Sequence, residues 1–294
     1  RMPHVVIDVD DRGEMRYDDL ERALRSSPFR HAIIVATCGT TMRGAIDSPT
    51  QIVELMRACG ITSHFLHVDA ALSGIYVPLL DPHLLSFSEV PISSIAISGH
   101  KFLGVPIPCG AFLVRRSLVD NISQSNVEYI RSKDLPMSCS RNGLAPLYLW
   151  LMLSELGRAR IKADALRCME YAQEMTDTLN AAGIPAYTNP LSITVFIDKA
   201  SVDDDFARAW QLATSGDIVH VVVMPHIRKA TLEKFCSALV SHSSGGGDVE
   251  TYGRAMKRLG RAQQLSPTCL SAMGLTLEAE APPAAAGRRD DSAA

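Results

Sequence analysis

The sequence predicts an α/β protein, with a mostly parallel sheet covered by helices and then a smaller α/β unit. Three observations carry this. Short, nearly unbroken apolar runs alternate with stretches whose apolar residues recur at helical spacing, the pattern of a parallel sheet buried on both faces. The run Ile92–Ile97 and the run Ala111–Val114 are joined by a segment too short for a helical crossover, so the second strand must return antiparallel. From Gly183 the alternation resumes on a smaller scale.

The elements follow in order. Val5 to Val9 reads as a strand, closed by the turn Asp10-Asp11-Arg12-Gly13. Tyr17 to Arg25 carries Leu20 and Leu24 at helical spacing. His31 to Ala36 is a strand, Ser48 to Cys59 a helix, and His64 to Val68 the next strand. Leu144 to Leu156 begins a long helix that can run on to Ala182. Beyond it come a strand at Ile193–Ile197, a helix at Asp204–Thr214, a strand at Ile218–Val223 and a helix at Lys229–Leu239. Ser241 to Asp248 has the Ser/Gly composition of a linker. Thr251 to Gln264 is basic and amphipathic, and Leu275 to Ala294 is an Ala/Pro/Asp tail expected to lack order. The chain thus divides into a large domain over 1–145, a linking helix over 146–182, a small domain over 183–240 and an appendage over 241–294.

Composition narrows the function classes. Of 294 residues, 47% are apolar and 21% charged, with a formal net charge of -3, so nothing draws the chain to nucleic acid or to an anionic membrane. No apolar run approaches the roughly 20 residues of a membrane span. Seven cysteines, Cys38, Cys59, Cys109, Cys139, Cys168, Cys236 and Cys269, are dispersed without a Cys-x-x-Cys pair, as in a cytoplasmic protein with reduced thiols. His64, His67 and Asp69 are read as alternating on one face of a strand, as metal ligands would, but no fourth ligand stands nearby and no metal is expected. No Gly-x-Gly-x-x-Gly follows a strand, which leaves a nucleotide-binding reading without support.

The chemistry concentrates at strand ends. Phe65-Leu66-His67-Val68-Asp69-Ala70-Ala71 closes one buried strand on an aspartate, and Ser98-Gly99-His100-Lys101 closes another on a lysine. A lysine after a strand is ordinarily solvated. Paired with an aspartate at a neighbouring strand end, it supplies the two poles a pyridoxal phosphate site needs. The amine forms a Schiff base with the cofactor aldehyde, and the carboxylate keeps the ring nitrogen protonated. Ligands in open α/β sheets sit outside the carboxyl ends of the strands, so the turn Thr37-Cys38-Gly39-Thr40-Thr41 can join them.

His67-Val68-Asp69-Ala70-Ala71 with Ser98-Gly99-His100-Lys101 resembles the signature of the group II pyridoxal-phosphate decarboxylases of amino acids. The wording Ile97 to Phe102, then Pro106-Ile107-Pro108-Cys109-Gly110, is similar to their histidine/serine branch, as is Val219 to His226. The resemblance covers residues 5 to 240 and corresponds to the C-terminal part of such an enzyme. It implies a type I aminotransferase-like fold and pyridoxal 5'-phosphate as cofactor. It also implies an amino acid, histidine or serine favoured, as the small-molecule substrate, and a homodimer in the complete form. By the same resemblance Lys101 and Asp69 are catalytic. His100 and Ser98 hold the cofactor phosphate, Ala71 packs on the ring and Thr41 borders the cofactor. His67, two residues before Asp69 on the same strand face, can buttress the site or be a satisfied core histidine. Another type I lyase or transaminase reaction, or a non-catalytic subunit pairing with a complete homologue, are the alternatives.

Two departures stand in Ser138-Cys139-Ser140-Arg141-Asn142-Gly143-Leu144: Cys139 replaces an expected glycine and Leu144 an expected histidine. The second bears on side-chain preference. Arg141 can fix an anion or brace the joint between domains, and the charged stretch Glu128 to Asp134 reads as a solvated loop. His220 and His226 read as packing or surface residues. Segments that the family places upstream, which cover the other face of the cofactor, have no counterpart after Arg1. The chain therefore reads as a fragment with an apolar sheet surface exposed and little activity by itself.

Overall fold

The computed structural model describes residues 4–119, 126–127, 132–133 and 141–243. Its elements are α1 (Tyr17–Ser26), β1 (His31–Thr37), α2 (Pro49–Ala58), β2 (Ser63–Asp69), α3 (Val77–Leu80), β3 (Ser94–Ser98), β4 (Gly110–Val114) and α4 (Arg116–Val119). Then come β5 (Asn126–Val127), β6 (Ser132–Lys133), α5 (Leu144–Ala181), β7 (Ala186–Thr188), β8 (Thr194–Asp198), α6 (Asp204–Ala209), β9 (Ala213–Ser215), β10 (Ile218–Val222) and α7 (Lys229–Ser243).

The first sheet has the order β1-β2-β3-β4. β1, β2 and β3 run parallel, and β4 returns antiparallel to β3 as the short connection requires. The second sheet, β7-β8-β10-β9, is antiparallel throughout. Local signals start the helices. Ser48 accepts a hydrogen bond from the Gln51 amide at 3.3 Å with Pro49 in the first turn of α2, and Asp203 accepts one from Phe206 at 2.8 Å ahead of α6. The Asn142 side chain accepts from the Leu144 amide at 2.8 Å as α5 begins.

Alternation divides the first sheet into two faces. Ile34, Ala36, Leu66, Val68 and Ile95 are buried in one core with Leu20 and Leu24 of α1 and Ile52, Val53 and Met56 of α2. On the other face Ile33, Val35 and Phe112 stand 62%, 58% and 61% exposed. Among the described residues, cover on both faces, expected of a parallel sheet, is therefore found on one, and Ile33, Val35 and Phe112 form the expected exposed apolar surface.

Four sequence-based boundaries need correction. Val5 to Val9 is no strand. Val5 and Val6 are 74% and 81% exposed, and only Val9 forms a single bridge, to Met15. Valine favours a strand only where a partner exists. The turn after it is as expected, with Asp10 Oδ1 accepting from the amides of Arg12 and Glu14. The helix read over Asp204–Thr214 stops at Ala209. Trp210 is buried against Phe206 and Phe235, Gln211 takes a positive φ of 54°, and Ala213–Ser215 pairs with β10 instead. The long helix is interrupted directly after Leu156, where Gly157 adopts φ 62° and ψ 172°. Finally, α7 continues to Ser243, so helix occupies the first residues read as a linker; His242 there lies 2.7 Å from Asp203 Oδ2. Thr251 to Gln264 and the tail from Leu275 lie outside the described residues.

One buried carboxylate ties these parts together. Asp47, 6% exposed, accepts the amide hydrogens of Met15 at 2.8 Å and Thr37 at 2.7 Å. Burial holds its carboxyl above the usual range, against the pull of the two amides. Asp47→Ala strands both donors and should cost about 2–4 kcal/mol in urea unfolding, whereas Asp47→Asn should cost less. Because the folded pKa is raised, the native state binds the extra proton. The parent should therefore gain stability relative to the Asn variant as pH falls through that value.

Candidate functional site

Strand register brings the predicted residues to one rim. Thr37 pairs with Asp69 and Asp69 with Ala96, so β1 and β2 end level with one another while β3 runs two residues further, to Ser98. Ser98 closes β3, and chain continuing from the three ends carries Thr41, Ala71, His100 and Lys101, outside the carboxyl ends of the parallel strands. The Cys38 amide donates to the Asp69 carbonyl at 2.8 Å, the Ala70 amide to Ala96 at 2.9 Å, and the Ser98 amide to Ala71 at 3.1 Å. These bonds extend the pairing past the last sheet residues and set Ala71 beside Ser98.

Asp69 is exposed, and its Oδ1 accepts from the Ala71 amide at 3.1 Å. Its Oδ2 and the half-buried Lys101 amine have no hydrogen bond or ion pair among the described residues, and the two residues form no ion pair with each other. Beneath them Cys38 is buried, and burial, reinforced by the charges of Asp47 and Asp69, pushes its thiol up to about 12. It stays protonated and inert.

The turn from Gly39 to Gly44 is shaped by one of its two threonines. Thr40 Oγ1 accepts from the Ala45 amide at 3.0 Å and its backbone bonds both Ala45 and Gly44, which leaves the exposed Thr41 hydroxyl for a ligand. Gly39 sits at φ +95°, where a Cβ would come within 2.3 Å of Ser73 Oγ. Gly44, at φ +64°, would meet Ser192 Oγ at 2.0 Å. The second sheet thus abuts this turn. Asn189 Nδ2 donates to the carbonyls of Arg12 at 2.9 Å and Arg43 at 2.8 Å, and His220 Nδ1 lies 3.0 Å from Met42 Sδ. His220 is a packing residue, as expected.

The lysine loop is closed at its base. Ser98 pairs with Gly110, and the Gly99 amide donates to Cys109 at 3.0 Å. A Cβ on Gly99 would lie 2.6 Å from Cys109 Sγ and 3.1 Å from Leu149 Cδ1, so this position tolerates little else. Inside the loop, His100 Nδ1 lies 2.8 Å from the Cys109 carbonyl and 3.1 Å from its amide. Either tautomer is held there, and Nε2 remains for a ligand. Phe102 and Leu103 are buried, with Phe102 4.7 Å from the Tyr76 ring, and they anchor the far side of Lys101.

His67 shares the open sheet face with Asp69. Its Nδ1 lies 2.8 Å from the Oγ of fully buried Ser94, and its ring 6.0 Å from Phe112. His64 does not share that face. Three residues from His67, it falls on the opposite side of the strand, with Nε2 3.1 Å from the Pro91 carbonyl. Ser94 and Cys109 escaped the sequence reading because their contacts depend on register and loop closure. Glu128 to Arg131, Asp134 and Ser138 to Ser140, Cys139 included, lie outside the described residues.

The donor set suits pyridoxal phosphate. An uncommitted amine, a carboxylate with one open oxygen, hydroxyls on Thr41 and Ser98 and an imidazole Nε2 all occur at one sheet rim, with small Ala71 between Asp69 and Ser98.

Comparison with known proteins agrees. Residues 3–184 match the model of the pyridoxal-dependent decarboxylase conserved domain. Serine decarboxylase 3 of Oryza sativa subsp. japonica is 38% identical over 236 residues, which span 80% of this chain and 53% of the relative. Histidine decarboxylase of Solanum lycopersicum is 39% identical over 230 residues, 78% of this chain and 55% of the relative. The chain therefore spans about half the length of the curated relatives it matches. Among solved structures, L-methionine decarboxylase from Streptomyces sp. 590 superposes with a TM-score of 0.68 at 24% identity, over 81% of this chain and 59% of that one. Sphingosine-1-phosphate lyase from Burkholderia pseudomallei K96243 also reaches 0.68, at 19% identity, over 88% and 61%. These likenesses carry the type I fold expected from the motifs, and with the match over residues 3–184 the chain belongs to the pyridoxal-dependent decarboxylase family.

Proposed function

We propose that the protein serves in pyridoxal-phosphate-dependent decarboxylation of an amino acid, with histidine or serine as substrate. The observation that carries this is the pairing of Asp69 with Ala96, near the end of the strand that leads to Lys101, with open polar atoms on both Asp69 and Lys101 at one rim. The similarity to serine and histidine decarboxylases supports the choice of substrate. When bound, pyridoxal phosphate supplies an electron sink for the bond between the α-carbon and the carboxylate.

The chain's own residues do the rest. Lys101 would attach the cofactor through its amine and would hold a proton at Nζ for the α-carbon. Asp69 would accept a hydrogen bond from the ring N–H and so keep that nitrogen cationic. Ser98 and His100 Nε2 would donate to the phosphate, Thr41 would offer its hydroxyl, Ala71 would leave room for the flat ring, and His67, fixed by Ser94, would buttress Asp69's face.

We place the protein in the cytoplasm as a homodimer. Cys38, Cys59, Cys109, Cys168 and Cys236 all carry free thiols, in keeping with a reducing compartment. Ile33, Val35 and Phe112 on the open sheet face, with Leu144, Leu147 and Trp150 at 52%, 53% and 63% exposure on α5, form apolar surface of the kind that associates. Among the described residues no helix is long and apolar enough to cross a membrane.

Three outcomes are expected. Incubation with pyridoxal phosphate followed by borohydride should place the added mass on the peptide containing Lys101. A label confined to Lys162 or Lys199 would overturn the assignment. Asp69→Asn should keep that label yet slow carbon dioxide release in the active assembly by about a hundredfold or more, since a neutral amide cannot hold the ring nitrogen cationic. Residues 1–294 alone should release little carbon dioxide from histidine or serine, because the rim and sheet face that bear the site are open to water, which screens fixed charges. Robust turnover would contradict this.

A further inference from the structure

Apart from that rim, a cavity of about 440 Å³ lies between the turn Phe102–Gly104, the two halves of α5 around Gly157 and the loop entering α7. None of Asp69, Thr41, His100 and Lys101 lines it. Its volume is in the range of small-molecule sites. Its lining combines apolar surface from Leu103, Met152 and Ile227 with an excess of positive charge.

The charges can be followed one by one. Asp164, whose side chain is 8% exposed, is held by Arg160 Nε at 3.0 Å and Arg167 Nη1 at 2.5 Å. Two guanidiniums share one carboxylate, which leaves one positive charge over. Lys229 is neutralised by Glu174 at 2.7 Å and lies 5.4 Å from the centre of the Tyr171 ring. Arg228 has no ion pair or side-chain hydrogen bond among the described residues and adds a second uncompensated charge. His226, held below the usual imidazole range by burial, contributes none near neutrality. Arg160 commits only its Nε, so its two terminal nitrogens, like all of Arg228, remain for a ligand. Were these arginines present only to brace α5 against the α7 loop through Asp164, Arg228 would have no task.

We propose that this cavity binds a small organic phosphate monoester. Arg160 and Arg228 hold the dianionic head, and the apolar body lies on the surface formed by Leu103, Met152 and Ile227. A guanidinium presents paired donors to phosphate oxygens, two such groups match two negative charges, and the apolar floor favours an organic body over the bare ion.

The test is calorimetry on residues 1–294 at low salt with phenyl phosphate, inorganic phosphate and phenol. Phenyl phosphate should bind at one site, inorganic phosphate more weakly, and phenol not at all. Arg228→Gln, at an exposed residue with no partner to lose, should weaken phenyl phosphate by about tenfold or more. Arg160→Gln should do the same, and His100→Ala, which removes a donor assigned to the cofactor phosphate, should leave binding unchanged. Absence of saturable binding, binding unaffected by Arg228→Gln, or binding lost in His100→Ala would each overturn the proposal. The His100 arm keeps the result independent of the assigned cofactor site.

Discussion

The arrangement depends on the register of three parallel strands. A slip of β2 by one residue would carry Asp69 to the buried face and bring Val68 to the open one, since side chains alternate with period two. What forbids the slip is the buried face: Leu66 and Val68 are essentially inaccessible and interlock with Ile34, Ala36 and Ile95 above α1 and α2. Hydrophobic burial thus sets the position of a polar group that contributes nothing to the core. The Cys38–Asp69 and Ala70–Ala96 backbone bonds then carry the same register into the loops, where the proposed site lies.

The second sheet contributes by contact rather than by catalytic groups. It presses Ser192 and Thr194 against Gly44, clasps the carbonyls of Arg12 and Arg43 through Asn189, and sets His220 on Met42. Each contact falls on the segment between Gly39 and Gly44 or on the turn behind it. The shape of that turn, and so the placement of Thr41, is determined from outside the sheet that bears Asp69 and Lys101. Buried Tyr76 adds a further tie, donating to the Leu191 carbonyl at 3.2 Å.

Much of this was legible in the sequence, for identifiable reasons. Strand ends carrying Asp69 and Lys101 were readable because unbroken apolar runs stop at polar residues, and the antiparallel return of β4 because its connection is short. Failures occurred where local preference competed with pairing. Val5 to Val9 has strand composition but no neighbouring strand, whereas Ala213–Ser215, without strand composition, has one in β10. The face assignment of His64 failed because an odd spacing was read as an even one. Ser94 behind His67 and Cys109 behind His100 depend on contacts 27 and nine residues away, which no local pattern announces.

The closed base of the Lys101 loop has a mechanical consequence. Pairing of Ser98 with Gly110, the Gly99–Cys109 bond, the imidazole latch on Cys109 and the buried Phe102–Leu103 step together make this segment a collar rather than a flap. A collar cannot swing its lysine toward and away from a bound ligand by bending the backbone. The reach of the Nζ atom must come from its four methylenes alone, a tether whose length is fixed by chemistry and whose pivot is fixed by the sheet.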